Sequence, residues 1–248
     1  MARTLARPAW IRQGFDAEAR TKHDGAPNGE LSRFMALIVR TLSDLTYEQV
    51  RKRILTGEIP PGAPLRQDTI AEELGVSKIP LREALGRLEQ DGLISSYPNR
   101  GYIVRPMSAD EAREVFDLRL AIEPAAAADG ARLAQAEHQA AAKLAYDALQ
   151  APGGRTDDAD LMTLNRQFHL TLIRPGGWLT YQLLERVHIV AERYVRMHIL
   201  EPANKAQGER EHKDLVAAWL DRDEPKIKAI SRDHIQHTMD DLLKNLES

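Results

Sequence analysis

The run Gly75-Val76-Ser77-Lys78-Ile79-Pro80-Leu81-Arg82-Glu83-Ala84-Leu85 constrains the fold of this chain more than any other stretch. Leu81, Leu85 and Leu88 recur at helical spacing with Ala84 between them, so one stripe packs on a core while Lys78, Arg82 and Gly86 share another face. Ser77 suits an N-cap, Pro80 is tolerated in a first turn, and Gly75 supplies the backbone freedom that ends a preceding helix. Two helices meeting at a three-residue turn form a helix-turn-helix, whose second helix reads a DNA major groove.

The flanks extend this unit. Thr46-x-x-Gln49 has the pattern of a capping box and opens a first helix along which Tyr47, Val50 and Ile54 share a face, up to a stop at Gly57. Leu65 packs back after the Pro60-Pro61-Gly62 turn, and Ile70, Ala71 and Leu74 give a short second helix. After the recognition helix, Leu93 to Tyr97 and Tyr102 to Arg105 alternate on either side of Pro98-Asn99-Arg100-Gly101, which predicts a β-hairpin with Arg100 and Gly101 at its tip. The unit is therefore a winged helix-turn-helix over residues 41–106, preceded by a flexible tail over 1–40 that includes the apolar patch Phe34 to Val39.

Residues 107–248 read as continuous amphipathic helix and predict an all-α bundle. Ser108-x-x-Glu111 caps a long helix in which Val115, Leu118, Ile122 and Ala125 are expected to face inward and Pro124 to introduce a kink. Further helices are expected near 136–149, 158–173, 178–200, 206–221 and 224–246, with loops at Pro152-Gly153-Gly154 and Pro175-Gly176-Gly177. No Rossmann or P-loop glycine fingerprint and no Gly-x-Ser-x-Gly elbow occurs. There is no cysteine, so any metal must use nitrogen and oxygen ligands. No signal peptide or 18-residue apolar run is present, which predicts a cytoplasmic protein with no membrane partner.

A formal net charge of −3 does not advertise nucleic-acid binding. The acid is concentrated after residue 105, while residues 41–105 carry 9 basic and 9 acidic side chains. A neutral module still binds phosphates when its cations cluster, because the local field drives counterion release. The planar fork of Arg82 suits guanine O6 and N7, and Lys78 can read a base or hold a phosphate. Arg66 and Arg100 suit backbone or minor groove, and Ser77 with the helix N-terminus can hold a phosphate. One such helix reads only a few base pairs, so a homodimer on a palindromic double-stranded operator is expected.

These residues resemble the DNA-binding domain of the GntR family of bacterial transcription regulators. The resemblance rests on Ile54-x-x-Gly57, Pro61-Gly62, Leu65, Ile70-Ala71-x-x-Leu74-Gly75-Val76-Ser77, Pro80-Leu81-Arg82-Glu83-Ala84-Leu85-x-x-Leu88, Gly92-Leu93 and Arg100-Gly101. Lys78 stands where the family usually has Arg, and Ile79 where it usually has Thr or Ser. The resemblance implies operator contacts by Arg66, Ser77, Lys78, Ile79, Arg82, Arg100 and Gly101.

In the helical half, Asn165 and His169 lie one turn apart, and His212 and His234 fall on the apolar stripes of two later helices. Three histidines on inward faces invite a divalent metal such as Zn(II) or Ni(II). This half resembles the FCD effector-binding domain, a bundle of six or seven helices, and the resemblance implies Asn165, His169, His212 and His234 as ligands, with Asn165 where Asp is usual. Without that carboxylate the metal's charge would be complemented by an anionic effector, a small organic acid. Arg119 either binds that acid or pairs with Glu123 one turn on. The resemblance implies a repressor released by its effector. The competing reading is a metal-dependent hydrolase at the three histidines. Glu211 is expected to point away from them around the helix.

Overall fold

The computed structural model describes residues 41–98, 100–150, 158–199 and 202–247. The expected tail over 1–40 with its Phe34 to Val39 patch, the loop at Pro152-Gly153-Gly154 and the hairpin residue Asn99 lie outside the described residues. The chain divides into two compact units, the first ending at Arg105 and the second beginning at Pro106.

In the first unit, α1 (Leu42–Leu55), β1 (Pro64–Leu65), α2 (Gln67–Leu74), α3 (Lys78–Gln90), β2 (Ile94–Tyr97) and β3 (Gly101–Val104) follow in order. The three strands form an antiparallel sheet in the order β1-β3-β2, with Tyr97 opposite Gly101 at the hairpin end. Pro64 and Leu65 thus form a third strand, pairing with Ile103 and Tyr102, where the sequence suggested only a packing residue. Leu81, Ala84, Leu85 and Leu88 of α3 are fully buried against α1 and the sheet. The cap of the first helix lies five residues earlier than expected: Thr41 caps it, its hydroxyl accepting from the Asp44 amide while the Asp44 carboxylate accepts from the Thr41 amide. Thr46 is buried inside that helix and donates to the Leu42 carbonyl, so the Thr46-x-x-Gln49 pattern is a coincidence of spacing. Ser77 does occupy the N-cap of α3, with extended backbone, but its hydroxyl makes no capping bond.

The second unit contains α4 (Ala109–Leu133), α5 (Ala136–Gln150), α6 (Asp158–Ile173), a single 3-10 turn (Arg174–Gly176), α7 (Trp178–Ile199), α8 (Pro202–Leu220) and α9 (Glu224–Glu247). Pro124 sits inside α4 without ending it. The Ser108 hydroxyl caps α4 by accepting from the Glu111 amide, while the Glu111 side chain turns to Arg193 and Tyr194 on α7 instead of closing a box. The inward stripe of α4 is rotated from the expected one: Leu118 is 43% exposed and Ala125 faces solvent, while Ala112, Val115, Phe116, Arg119, Glu123, Ala126, Ala127, Gly130 and Ala131 are buried. Two charged residues therefore lie on the inner face of the longest helix, a first sign that the bundle is built around polar chemistry.

Helix α4 crosses the end of α6 with no room to spare. A Cβ on Gly130 would stand 2.0 Å from the Leu172 carbonyl oxygen, which also accepts from Trp219 Nε1 at 3.0 Å. Gly130→Ala is expected to destabilise the protein by roughly 2 to 4 kcal/mol in urea unfolding, because the steric strain and disturbance of a buried hydrogen bond outweigh alanine's helix preference. A loss below about 1 kcal/mol would mean that the crossing can slide apart freely.

Candidate DNA interface and metal centre

In the first unit, α2 is closed by Gly75, whose φ of 64° is left-handed, and α3 begins three residues later at Lys78. That turn leaves Ser77, Lys78 and Arg82 exposed, with Ile79 70% exposed despite its apolar side chain. Arg66 occupies the N-cap of α2 and is exposed, and Lys78 Nζ lies 2.7 Å from Asp68 Oδ1 in the first turn of that helix. Asp68 was not singled out in the sequence because a carboxylate on a cationic face has no motif. The pair brings the starts of α2 and α3 together. Arg100 and Gly101 are exposed at the turn of the β2-β3 hairpin, where the Arg100 amide donates to the Tyr97 carbonyl and Gly101 has a φ of 72°. Arg66, Lys78, Arg82 and the exposed Ile79 lie at the starts of α2 and α3, and Arg100 adds a fourth exposed cation at the hairpin turn, although the unit as a whole is neutral.

In the second unit, α6 supplies Asn165 and His169, α8 supplies His212 and α9 supplies His234, all four buried. The three imidazoles converge: one ligand nitrogen from each lies within 4.8 Å of the others. The His169 and His234 rings stack at 5.1 Å between centroids, and those of His212 and His234 are 4.7 Å apart. Nε2 of His169 and Nε2 of His212 are buried without a hydrogen-bond partner. Buried imidazole nitrogens without partners are costly in a closed core, and an ion between them removes that cost. Burial pushes the His169 imidazole down to about 3 and His212 well below its usual range, so both rings are neutral and carry the lone pairs that coordination needs. The donor set therefore fits a divalent ion of the Zn(II) or Ni(II) type.

Two carboxylates stand behind the rings. Glu123 Oε1 lies 3.1 Å from His169 Nδ1, and Glu211 Oε2 lies 2.7 Å from His234 Nδ1. Each fixes its histidine with Nδ1–H outward and the other nitrogen toward the centre, the usual arrangement behind a metal-binding histidine. Glu211 does not turn away around its helix, as the sequence suggested, but reaches across to His234 and His237 on α9. Burial alone would raise both carboxyls; Arg119 and the histidine donors outweigh it at Glu123, and donors including His234 and Gln207 bring Glu211 down to about 2.

Arg119 makes the ion pair with Glu123, through Nε at 2.8 Å and Nη2 at 3.3 Å, and His188 Nε2 completes the carboxylate at 3.1 Å. Arg119 also lines a cavity shared with Asn165, His212 and His234, so the guanidinium edge outside that pair can still meet a ligand. His188 and Glu123 were not legible as site residues, since one lies on the buried stripe of α7 and the other entered only as an ion-pair partner of Arg119 one turn on.

Comparison with known proteins gives two adjoining domain matches. Residues 42–104 match the bacterial regulatory proteins, gntR family, and residues 114–237 match the FCD domain. A regulator from Agrobacterium vitis, the uncharacterized HTH-type transcriptional regulator of the TAR-I ttuE-ttuC' intergenic region, is 33% identical over 51% of this chain and 76% of its own length. The Nta operon transcriptional regulator of Aminobacter aminovorans is 28% identical over 74% of this chain and 86% of its own. The HTH-type transcriptional repressor GlaR of Escherichia coli is 28% identical over 76% of this chain and 90% of its own. Among solved structures, E. coli McbR/YncC shares the fold with a TM-score of 0.70 at 21% identity, over 83% of this chain and 98% of that one. Among the described residues no helix is long and apolar enough to cross a membrane.

Proposed function

The chain belongs to the gntR family of bacterial regulatory proteins and is a DNA-binding transcription regulator with an FCD domain, and from that premise we propose that it is a ligand-responsive repressor released by a small organic acid at a divalent metal. The observation that carries the reading is the trio His169, His212 and His234 with two partnerless buried nitrogens, opening on a cavity lined by Asn165 and Arg119. The three histidines hold the ion and Asn165 Oδ1 adds a fourth donor. When bound, the metal supplies an electrophilic centre for an acid's carboxylate. Every metal ligand is uncharged, so the ion keeps a net positive charge that attracts an anion, and Arg119 helps to orient it. A hydrolase has no support beside this reading, since the family and the named relatives are transcription regulators.

The regulator works in the cytoplasm as a homodimer on a palindrome. Leu118 on α4 and Leu179 and Leu183 on α7 are exposed, and these two helices pack on each other, which supports a self-association face. Arg82 reads guanine, and Ile79, which the family usually replaces with a hydroxyl residue, meets a thymine methyl. Lys78, Ser77, Arg66, Arg100 and Gly101 hold the backbone. Effector and metal order the helical unit and shift the balance between operator-competent and released forms by their differential affinity.

Titration of metal-loaded protein with small carboxylic acids, in the presence and absence of EDTA, tests the site by calorimetry. Acid binding is expected to weaken at least tenfold when the metal is removed, and operator affinity measured by fluorescence anisotropy is expected to fall as acid is added. Acid binding of equal affinity without metal would remove the metal from the effector site.

A further inference from the structure

The cavity at the histidines has a second polar end, and we infer that it binds a linear dicarboxylic acid lengthwise, one carboxylate at the histidines and the other at His198 and Lys205, with Asn204 as a positioning residue. The inference rests on the effector reading above and specifies its ligand. Helix α9 places His234, Thr238 and Asp241 in one row, the outer two separated by two turns, about 10.5 Å along the axis. Helix α8 places His212, Gly208 and Asn204 in a matching row, about 12 Å from end to end. The helices run antiparallel, because Glu211 bonds His234 at one end and Asn204 Nδ2 donates to Asp241 Oδ2, at 2.7 Å, at the other.

Asp241 is committed to the protein at that far end. The same oxygen faces His198 Nδ1 at 2.9 Å, and the Asn204 amide also donates to the His198 carbonyl at 3.3 Å. The carboxylate thus holds His198 and Asn204 in place while Lys205, which has no ion pair among the described residues, lies beside them on the cavity wall. Leu149, Leu161 and Val195 add apolar surface to the wall, and the Thr238 hydroxyl in the middle of the α9 row is turned to the His234 carbonyl. A ligand with a charge at each end and a hydrocarbon middle suits that lining. Subtracting a metal–oxygen bond of about 2 Å and a hydrogen bond of about 2.9 Å from the two rows leaves about 5.6 to 7.1 Å between carboxylate oxygens, the length of a diacid of about four to six carbons. Glu209 also borders the cavity and is exposed, so the rival for the far end is an ammonium group.

Gly208 provides a test that does not depend on damaging the fold. It lies midway between the ends, and a Cβ built there meets nothing within 4 Å, so a side chain at this position enters the cavity without displacing protein. Full-length protein loaded with Zn(II) is titrated by calorimetry with succinate, glutarate and adipate, with butyrate and valerate, and with 5-aminovalerate. The best diacid is expected to bind at least tenfold more tightly than the monoacid of the same length. His198→Ala and Lys205→Met should each reduce that advantage to below threefold while leaving butyrate affinity unchanged, and Gly208→Leu should abolish diacid binding in a protein whose melting temperature is not lowered. Equal affinities of diacid and monoacid in the unmodified protein, or a preference for 5-aminovalerate, would overturn the dicarboxylate assignment while leaving the metal site in place. Failure of every acid to bind would overturn the effector reading and this inference with it.

Discussion

Arg82→Ala is expected to lose discrimination between operator and random DNA while retaining most of the protein's nonspecific affinity. Arg82 is exposed in the second turn of α3, on the flank of the helix about 100° from the buried stripe of Leu81, Leu85 and Leu88. Its removal costs nothing in the core, so a change in binding reports the contact itself. A bidentate guanidinium contact with guanine O6 and N7 contributes roughly 1 to 3 kcal/mol of discrimination, about a five- to 150-fold change in the operator-to-random ratio. Arg66→Ala should behave differently, because Arg66, exposed at the N-cap of α2, is expected to meet phosphate: binding should fall on all sequences alike, and the slope of log K against log salt should decrease by about 0.9. Anisotropy titrations at several salt concentrations separate the two. An equal loss on operator and random DNA for Arg82→Ala would reassign it to the backbone. Lys78 gives an intermediate case, since Asp68 holds its ammonium at 2.7 Å and must release it before it meets DNA.

The helix-turn-helix was legible because its signals are local: Gly75 needs a left-handed φ, and the Leu81, Leu85, Leu88 stripe repeats at the helix period. Helix positions in the second unit were legible for the same reason, down to 158–173 for α6. Facing was harder. The inward stripe of α4 was misjudged because Leu118 and Ala125 are apolar, whereas the residues that turn inward include Arg119 and Glu123, whose burial is stabilised by their pairing with each other and by His169 on α6 and His188 on α7. The cap at Thr41 was missed because Asp44 closes the box there while Gln49 mimics one three residues after Thr46. The three histidines were legible as inward residues on separate helices, but nothing local says that Glu123 lies behind His169 or that Glu211 reaches His234. Those pairings join residues 46 and 23 positions apart and exist only once the bundle closes.

Metal removal is expected to have the largest effect on stability, and His212→Leu should reverse its sign. At a free-metal concentration a thousand times its dissociation constant, binding to the native state alone adds about 4 kcal/mol. In a chain of this size that raises the melting temperature by roughly 8 to 16 °C. Without metal, the buried Nε2 atoms of His169 and His212 have no partner, a cost of about 1 to 3 kcal/mol each. Leucine at 212 nearly fills the ring's volume beside Phe168, 5.1 Å away, and carries no polar atom. In EDTA, His212→Leu should therefore melt at or above the unmodified protein; with metal it should melt well below it. The pH dependence follows the same atoms. Burial keeps both rings neutral in the fold, His169 down to about 3, so the unfolded chain takes up protons first as pH falls below about 6.5. Metal-free protein accordingly loses stability on acidification, roughly 1 kcal/mol per buried neutral histidine between pH 7.5 and 5.5; because burial lowers His188 in the same way, His212→Leu should lose about two-thirds as much. If His212→Leu were the less stable protein in EDTA as well, the ring would be an ordinary core side chain, and the metal would have to be sought elsewhere.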